Sequence, residues 1–300
     1  MAWLSRFLDQ QAQGLLTNNR QAVLHAVAFS LLPYTAWLSM AIIALVTLRK
    51  GAQAGGRLLL PVLLLVTVLS AVSTTVWIAV INATLTFVPC YLAACVLRKT
   101  VSWRAVMVFF LLQFLLIVLL LQIIVPDFIM AQFVYLQTVL HEVDADNALL
   151  TFIHDKTGLD QMMLAGYLLG LQAVGVIFSA CMSLSMARSI QSRLFYPGAF
   201  KKEILTFRGD KIGLLVLGIL LFATREQSVV ATCMVPLFVF YFLLAGLSLS
   251  LAVLVKQKPL GSVVLLTATL LLLPFIMLPV YVIFGSLDSL FNFRLYLPSR

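Results

Sequence analysis

Charge is what this 300-residue chain has least of: 10% of its residues are Asp, Glu, Lys or Arg, 62% are hydrophobic, and the mean hydropathy is +1.08. A soluble domain carries about 25% charged and 45 to 50% apolar residues, so a soluble globule is excluded. Cysteine is scarce too. The four cysteines, Cys90, Cys95, Cys181 and Cys233, lie in apolar segments without a two-residue spacing or a neighbouring histidine. That pattern gives neither a zinc set nor a disulfide framework, and the thiols read as small buried apolar groups. G-x-x-x-x-G-K-S/T, G-x-S-x-G and H-E-x-x-H are all missing. The chain therefore cannot couple ATP hydrolysis by itself, and no cofactor, metal or enzymatic activity is expected of it.

What is present is a succession of apolar runs from residue 22 to residue 284. In lipid every backbone donor needs an internal partner, and no barrel-type strand alternation occurs, so the fold class is all-α. The reading is a polytopic transmembrane helical bundle of about eight helices. Residues 1–20 place Trp3, Leu4, Phe7 and Leu8 at helical spacing, as an interfacial helix. The following run of about 27 residues exceeds the 7 to 15 of a cleavable signal peptide, so the N-terminus is expected to be retained. Residues 21–286 form the membrane domain and 287–300 a tail. Residues 22–48 are expected to cross once, with a ninth helix if Pro33 divides them.

Residues 58–97 suit a hairpin broken near Ser70, Ser73, Thr74 and Thr75. Residues 105–125 then cross outward, and 126–160 form an external loop. Within it Phe133, Leu136, Leu140 and Val143 mark an amphipathic helix on the outer surface. Residues 162–186 return inward. A second hairpin turns at Arg225-Glu226-Gln227, and residues 261–284 make the last crossing.

The charges are segregated. Of 20 basic residues, 14 fall in four stretches around Arg49–Arg57, Arg98–Arg104, Arg188–Lys211 and Lys256–Lys258, whereas six of the 11 acids lie between Asp127 and Asp160. Lysine and arginine resist translocation, so the basic loops are expected on the cytoplasmic side. The net +9 is then a topology signal, with the bilayer's anionic headgroups rather than nucleic acid as partner.

Charge at membrane depth is costly, which makes Arg225 and Glu226 a candidate solute site, set against a plain turn at the outer interface. Asp288 would share a helix face with Asn292, either as a cap or as a carboxylate reaching a cation. Arg225, Glu226 and Asp288 are expected to line the outward mouth of one cavity. The string His141-Glu142-Val143-Asp144-Ala145-Asp146 lacks a second histidine four residues on and reads as a solvated helix face. Gly166 and Gly170 let another helix approach closely, within the chain or across a dimer. Ala22 and Ala26 repeat that spacing.

Residues 236–296, with Phe238-Val239-Phe240-Tyr241-Phe242-Leu243-Leu244-Ala245-Gly246, Lys256-Gln257-Lys258 and Gly285-x-x-Asp288-x-x-x-Asn292-Phe293-Arg294, resemble the YybS-like family of bacterial inner-membrane proteins. The resemblance implies a fold similar to the substrate-binding S-components of energy-coupling-factor transporters, which rely on separate ATPase and transmembrane partners. It also implies that Ala22 and Ala26 meet a coupling subunit. The rod-shape protein MreD, similar in fold, serves as a scaffold, so shape alone leaves two expectations open. One is a small-solute binding and transport subunit; the other is a scaffold in envelope assembly.

Overall fold

The computed structural model describes residues 13–32, 34–72, 75–125, 128–143, 161–254 and 259–296. Among them the regular structure is all helical. In chain order the helices are α1 (Asn19–Leu31), α2 (Ala36–Lys50), α3 (Ala52–Ser70), α4 (Val76–Thr100), α5 (Trp103–Ile124), α6 (Phe128–Val143), α7 (Gln161–Phe195), α8 (Ala199–Thr206), α9 (Lys211–Arg225), α10 (Val229–Leu254), α11 (Pro259–Leu272) and α12 (Pro274–Phe291), followed by a 3-10 turn (Phe293–Tyr296). Six of them, α3, α4, α5, α7, α10 and α12, are long and apolar enough to cross a membrane. The chain is a multi-pass membrane protein.

The helices form two compact units, and the division falls inside α5, α7 and α8: Met1–Phe110 with Val176–Ile204, and Leu111–Gly175 with Leu205–Arg300. In the first unit α2 is the central element, packed against α1, α3 and α4. Ten consecutive residues, Ser39 to Leu48, are buried, as befits a helix that is apolar all round. Polar groups tie α2 to its neighbours through backbone carbonyls. Ser183 Oγ donates to Trp37 O (2.8 Å), Gln191 Nε2 to Leu48 O (3.3 Å) and Arg98 Nη1 to Thr47 O (3.0 Å). The turn into α3 rests on Gly51 at φ 111°, a conformation open to glycine and costly for other residues.

In the second unit α10 is central and packs on α9, α11 and α12. It crosses α12 where Gly246 meets Gly285. A Cβ on Gly246 would run into the Tyr281 carbonyl, and one on Gly285 into the Phe242 carbonyl. Around Cys233 a cluster of Val118, Ile129, Phe133, Leu164 and Ala165 joins α10 to α5, α6 and α7.

Two expected crossings are divided. Residues 22–48 are two helices of 13 and 15 residues, each short of the roughly 20 a span requires. Between them Tyr34 takes φ 63°, and Thr35 Oγ1 donates to the carbonyls of Phe29 (2.6 Å) and Leu32 (3.0 Å). Residues 261–284 are likewise split, between α11 and α12, because Pro274 opens a new helix at a position where its missing donor costs nothing. The expected boundary at 286/287 falls inside α12. Helix α7 runs to 35 residues, well past the expected end at 186. Phe133, expected on the outer membrane surface, is buried at 4% exposure in the Cys233 cluster. The expected interfacial helix over residues 1–20 lies mostly outside the described residues.

Candidate functional site

The second unit holds a buried polar knot around Asp288. Helix α12 ends at Asn292, which adopts the left-handed conformation (φ 49°) and donates its backbone N–H to Asp288 O (3.0 Å). Asparagine tolerates that conformation better than most residues. The reversal and the 3-10 turn bring Arg294 back over the end of the helix, where its Nε donates to Asp288 Oδ2 at 3.0 Å. The other guanidinium nitrogens reach the carbonyls of Leu205 and Phe207 and the Ser248 hydroxyl. Arg208 Nη2 donates to Ser289 O (3.0 Å), and Asp210 N to the Tyr241 hydroxyl (3.0 Å). The segment 205–210, which leads into α9, is thus held by α10 and α12 together.

Asp288 is fully buried and the Arg294 side chain is 15% exposed. The second carboxylate oxygen, Oδ1, has no hydrogen-bond donor within reach. A buried acceptor left without a partner costs about 1 to 3 kcal/mol, more when it is charged. Next to the knot in sequence, Leu287 and Phe293 line an open groove of about 400 Å³ together with Leu249, Ser250, Val253, Leu254, Leu266 and Phe284. Apart from the Ser250 hydroxyl its side chains are apolar.

Arg225 and Glu226 lie elsewhere. They are exposed at the turn from α9 to α10, closed by Gln227 at φ 56°. The knot is at the start of α9, so 15 residues of helix, about 22 Å, separate it from Arg225. The structure therefore does not bring Asp288 together with Arg225 and Glu226, and the expected common mouth is corrected. The Asn292 contact expected for Asp288 is a backbone one, and the cation that the carboxylate meets is Arg294. Sequence reasoning placed Arg294 after the last span without pairing it to Asp288, because six residues is not a helical spacing.

The small-residue positions are occupied within the chain. Ala22 and Ala26 are fully buried, on a helix that packs against α2 and α3, so neither presents a surface to a coupling subunit. Gly166 faces Thr232 and Cys233, and Gly170 faces the Cys233 carbonyl and Pro236, all on α10. The string 141–146 lies outside the described side chains.

The first unit carries a different concentration of charge. Its described residues include 11 bases, Arg20, Arg49, Lys50, Arg57, Arg98, Lys99, Arg104, Arg188, Arg193, Lys201 and Lys202, and one acid, Glu203. Lys50 donates to Asn19 Oδ1, Arg49 stacks on Phe195 (3.9 Å to the ring centre), and Arg188 pairs with Glu203, whose Oε2 also accepts from Trp103 Nε1 (3.2 Å). With the Arg98–Thr47 hydrogen bond, these contacts gather the ends of α1, α2, α4, α5, α7 and α8 at one end of the unit.

No family model, curated protein or solved structure matches the chain.

Proposed function

We propose that the chain is a non-enzymatic subunit of a bacterial inner-membrane assembly that binds a small, largely apolar solute in the groove between α10, α11 and α12, as part of a transport system. The observation that carries the reading is the apolar groove of about 400 Å³, lined in part by Leu287, the residue before the fully buried Asp288, whose second carboxylate oxygen is unsatisfied. Small-molecule sites are concave, mostly apolar and roughly 300 to 1,000 Å³, with few polar groups to fix orientation. An ionisable residue inside a membrane domain is a functional candidate by default. The resemblance of residues 236–296 to YybS-like proteins supports the same segment and implies an ATPase and a coupling subunit as partners.

Mass spectrometry of small molecules retained by the purified protein tests this. Leu287→Trp would fill the groove from an intermediate position on α12 and should release the solute without lowering the thermal midpoint by more than a few degrees. Retention unchanged in Leu287→Trp places the solute elsewhere; a wild-type protein that retains nothing beyond lipid and detergent removes the reading. The scaffold reading draws on the same groove, whose apolar lining also fits a partner's transmembrane helix. Co-purification separates the two, since an ATPase with a coupling subunit supports transport, whereas cell-wall or division proteins support the scaffold.

A further inference from the structure

We propose that the basic end of the first unit is a binding surface for the phosphate-bearing headgroups of anionic phospholipids, centred where the first turn of α5 meets α8. The proposal is independent of the solute reading, because it uses other residues in the other unit.

Hydrogen bonds spread charge but do not cancel it, so a unit with 11 bases and one acid among its described residues keeps a large positive excess whatever its internal contacts. Glu203 is already engaged by Arg188 and Trp103. Part of the excess has a plain structural reason: Arg49 and Lys50 end α2, and Arg98 and Lys99 end α4, where cations complement the helix dipole. That reason fails for Arg104 and Lys201. Arg104 is the second residue of α5 and Lys201 the third of α8, in first turns where a positive charge opposes the dipole. The two turns lie side by side, joined by the Trp103–Glu203 hydrogen bond and by the rings of Trp103 and Phe200, 6.2 Å apart and inclined at 62°. Positive potential is concentrated there against the preference of the helices themselves, and Lys201, exposed at that place, is positioned to meet an anion.

The surroundings point to a lipid rather than a dissolved polyanion. Val101 (54% exposed) stands between Lys99 and Arg104 in the chain, and Tyr196 (52% exposed) sits in the turn before α8. Apolar side chains interleaved with cations suit the interfacial layer, where the former enter the acyl boundary and the latter reach the phosphates. A soluble polyanion would leave Val101 and Tyr196 in water.

Binding of a fluorescent phosphatidylglycerol to the full-length detergent-purified protein, with phosphatidylcholine as the neutral comparison, tests the surface. Wild type should prefer phosphatidylglycerol, and the preference should weaken as salt is raised. The double variant Arg104→Gln/Lys201→Gln should bind it about thirtyfold more weakly, Arg104→Lys/Lys201→Arg should restore binding, and Arg225→Gln, in the other unit, should behave as wild type. Equal binding of the two lipids by wild type overturns the proposal without recourse to any variant. So does a glutamine pair that binds like wild type, or inorganic polyphosphate displacing phosphatidylglycerol at matched charge.

Discussion

Asp288 and Arg294 are six positions apart, yet each is the other's charge partner, one fully buried and the other nearly so. Removing one member of a buried pair costs roughly 3 to 5 kcal/mol, because the remaining charge is stranded. Asp288→Asn and Arg294→Gln are each expected to lower the thermal midpoint of the detergent-solubilised protein sharply. The double variant should lose less than the two losses added together, since neither charge is then left alone; strict additivity would show that the pair is not coupled. The sequence displayed both residues but not their meeting. Helical periodicity pointed Asp288 toward Asn292, whereas the left-handed Asn292 ends the periodicity and returns the chain on itself. An asparagine just past a long apolar helix was the available signal, since it is among the few residues enriched in that conformation.

At the scale of elements, the α10–α12 crossing depends on two glycines whose neighbours are backbone atoms and cannot turn aside. Gly246→Ala and Gly285→Ala must push the helices apart, and each is expected to cost about 1 to 3 kcal/mol or more. Gly175 and Gly218 are also helical but face open space, so their alanine variants should be neutral or slightly stabilising. Thermal midpoints of the four variants give the comparison, and a uniform response would mean that the crossing is not close. The hairpins α3–α4 and α9–α10 were legible because polar residues interrupt the apolar runs at 70–75 and 225–227. The division at α1–α2 was signalled by Pro33 but left open, because residues 22–48 are long enough to cross once, and the division at α11–α12 was hidden, because it occurs within a run of apolar residues long enough for one span. The length of α7 was hidden for the opposite reason: Arg188 and Arg193 look like a loop, and a helix emerging from the bilayer accommodates them.

At the scale of the whole molecule, placement in a membrane and the segregation of charge are linear properties, which is why both could be read directly. The division into two units is not, since it cuts α5, α7 and α8 within the helix, with no linker at the breaks to mark it. Helix α7 gives the orientation its clearest test. Its 35 residues extend about 52 Å, against a hydrocarbon core of about 30 Å, so it crosses with tilt or with residues to spare. It starts just after the acidic stretch 127–160 and ends with Arg188 and Arg193 before Lys201 and Lys202. Basic residues next to a span resist translocation while acids contribute little, so the end of α7 is expected in the cytoplasm. Reporters fused after Glu142 and after Lys201 should signal opposite sides of the membrane. Replacing Arg193, Lys201 and Lys202 by glutamine should weaken the bias and give a mixed signal at both positions, whereas Asp144→Asn with Asp146→Asn should leave it unchanged. If the variant lacking Asp144 and Asp146 inverts the signal and the base-depleted one does not, the orientation is set by something other than the lysines and arginines at this end.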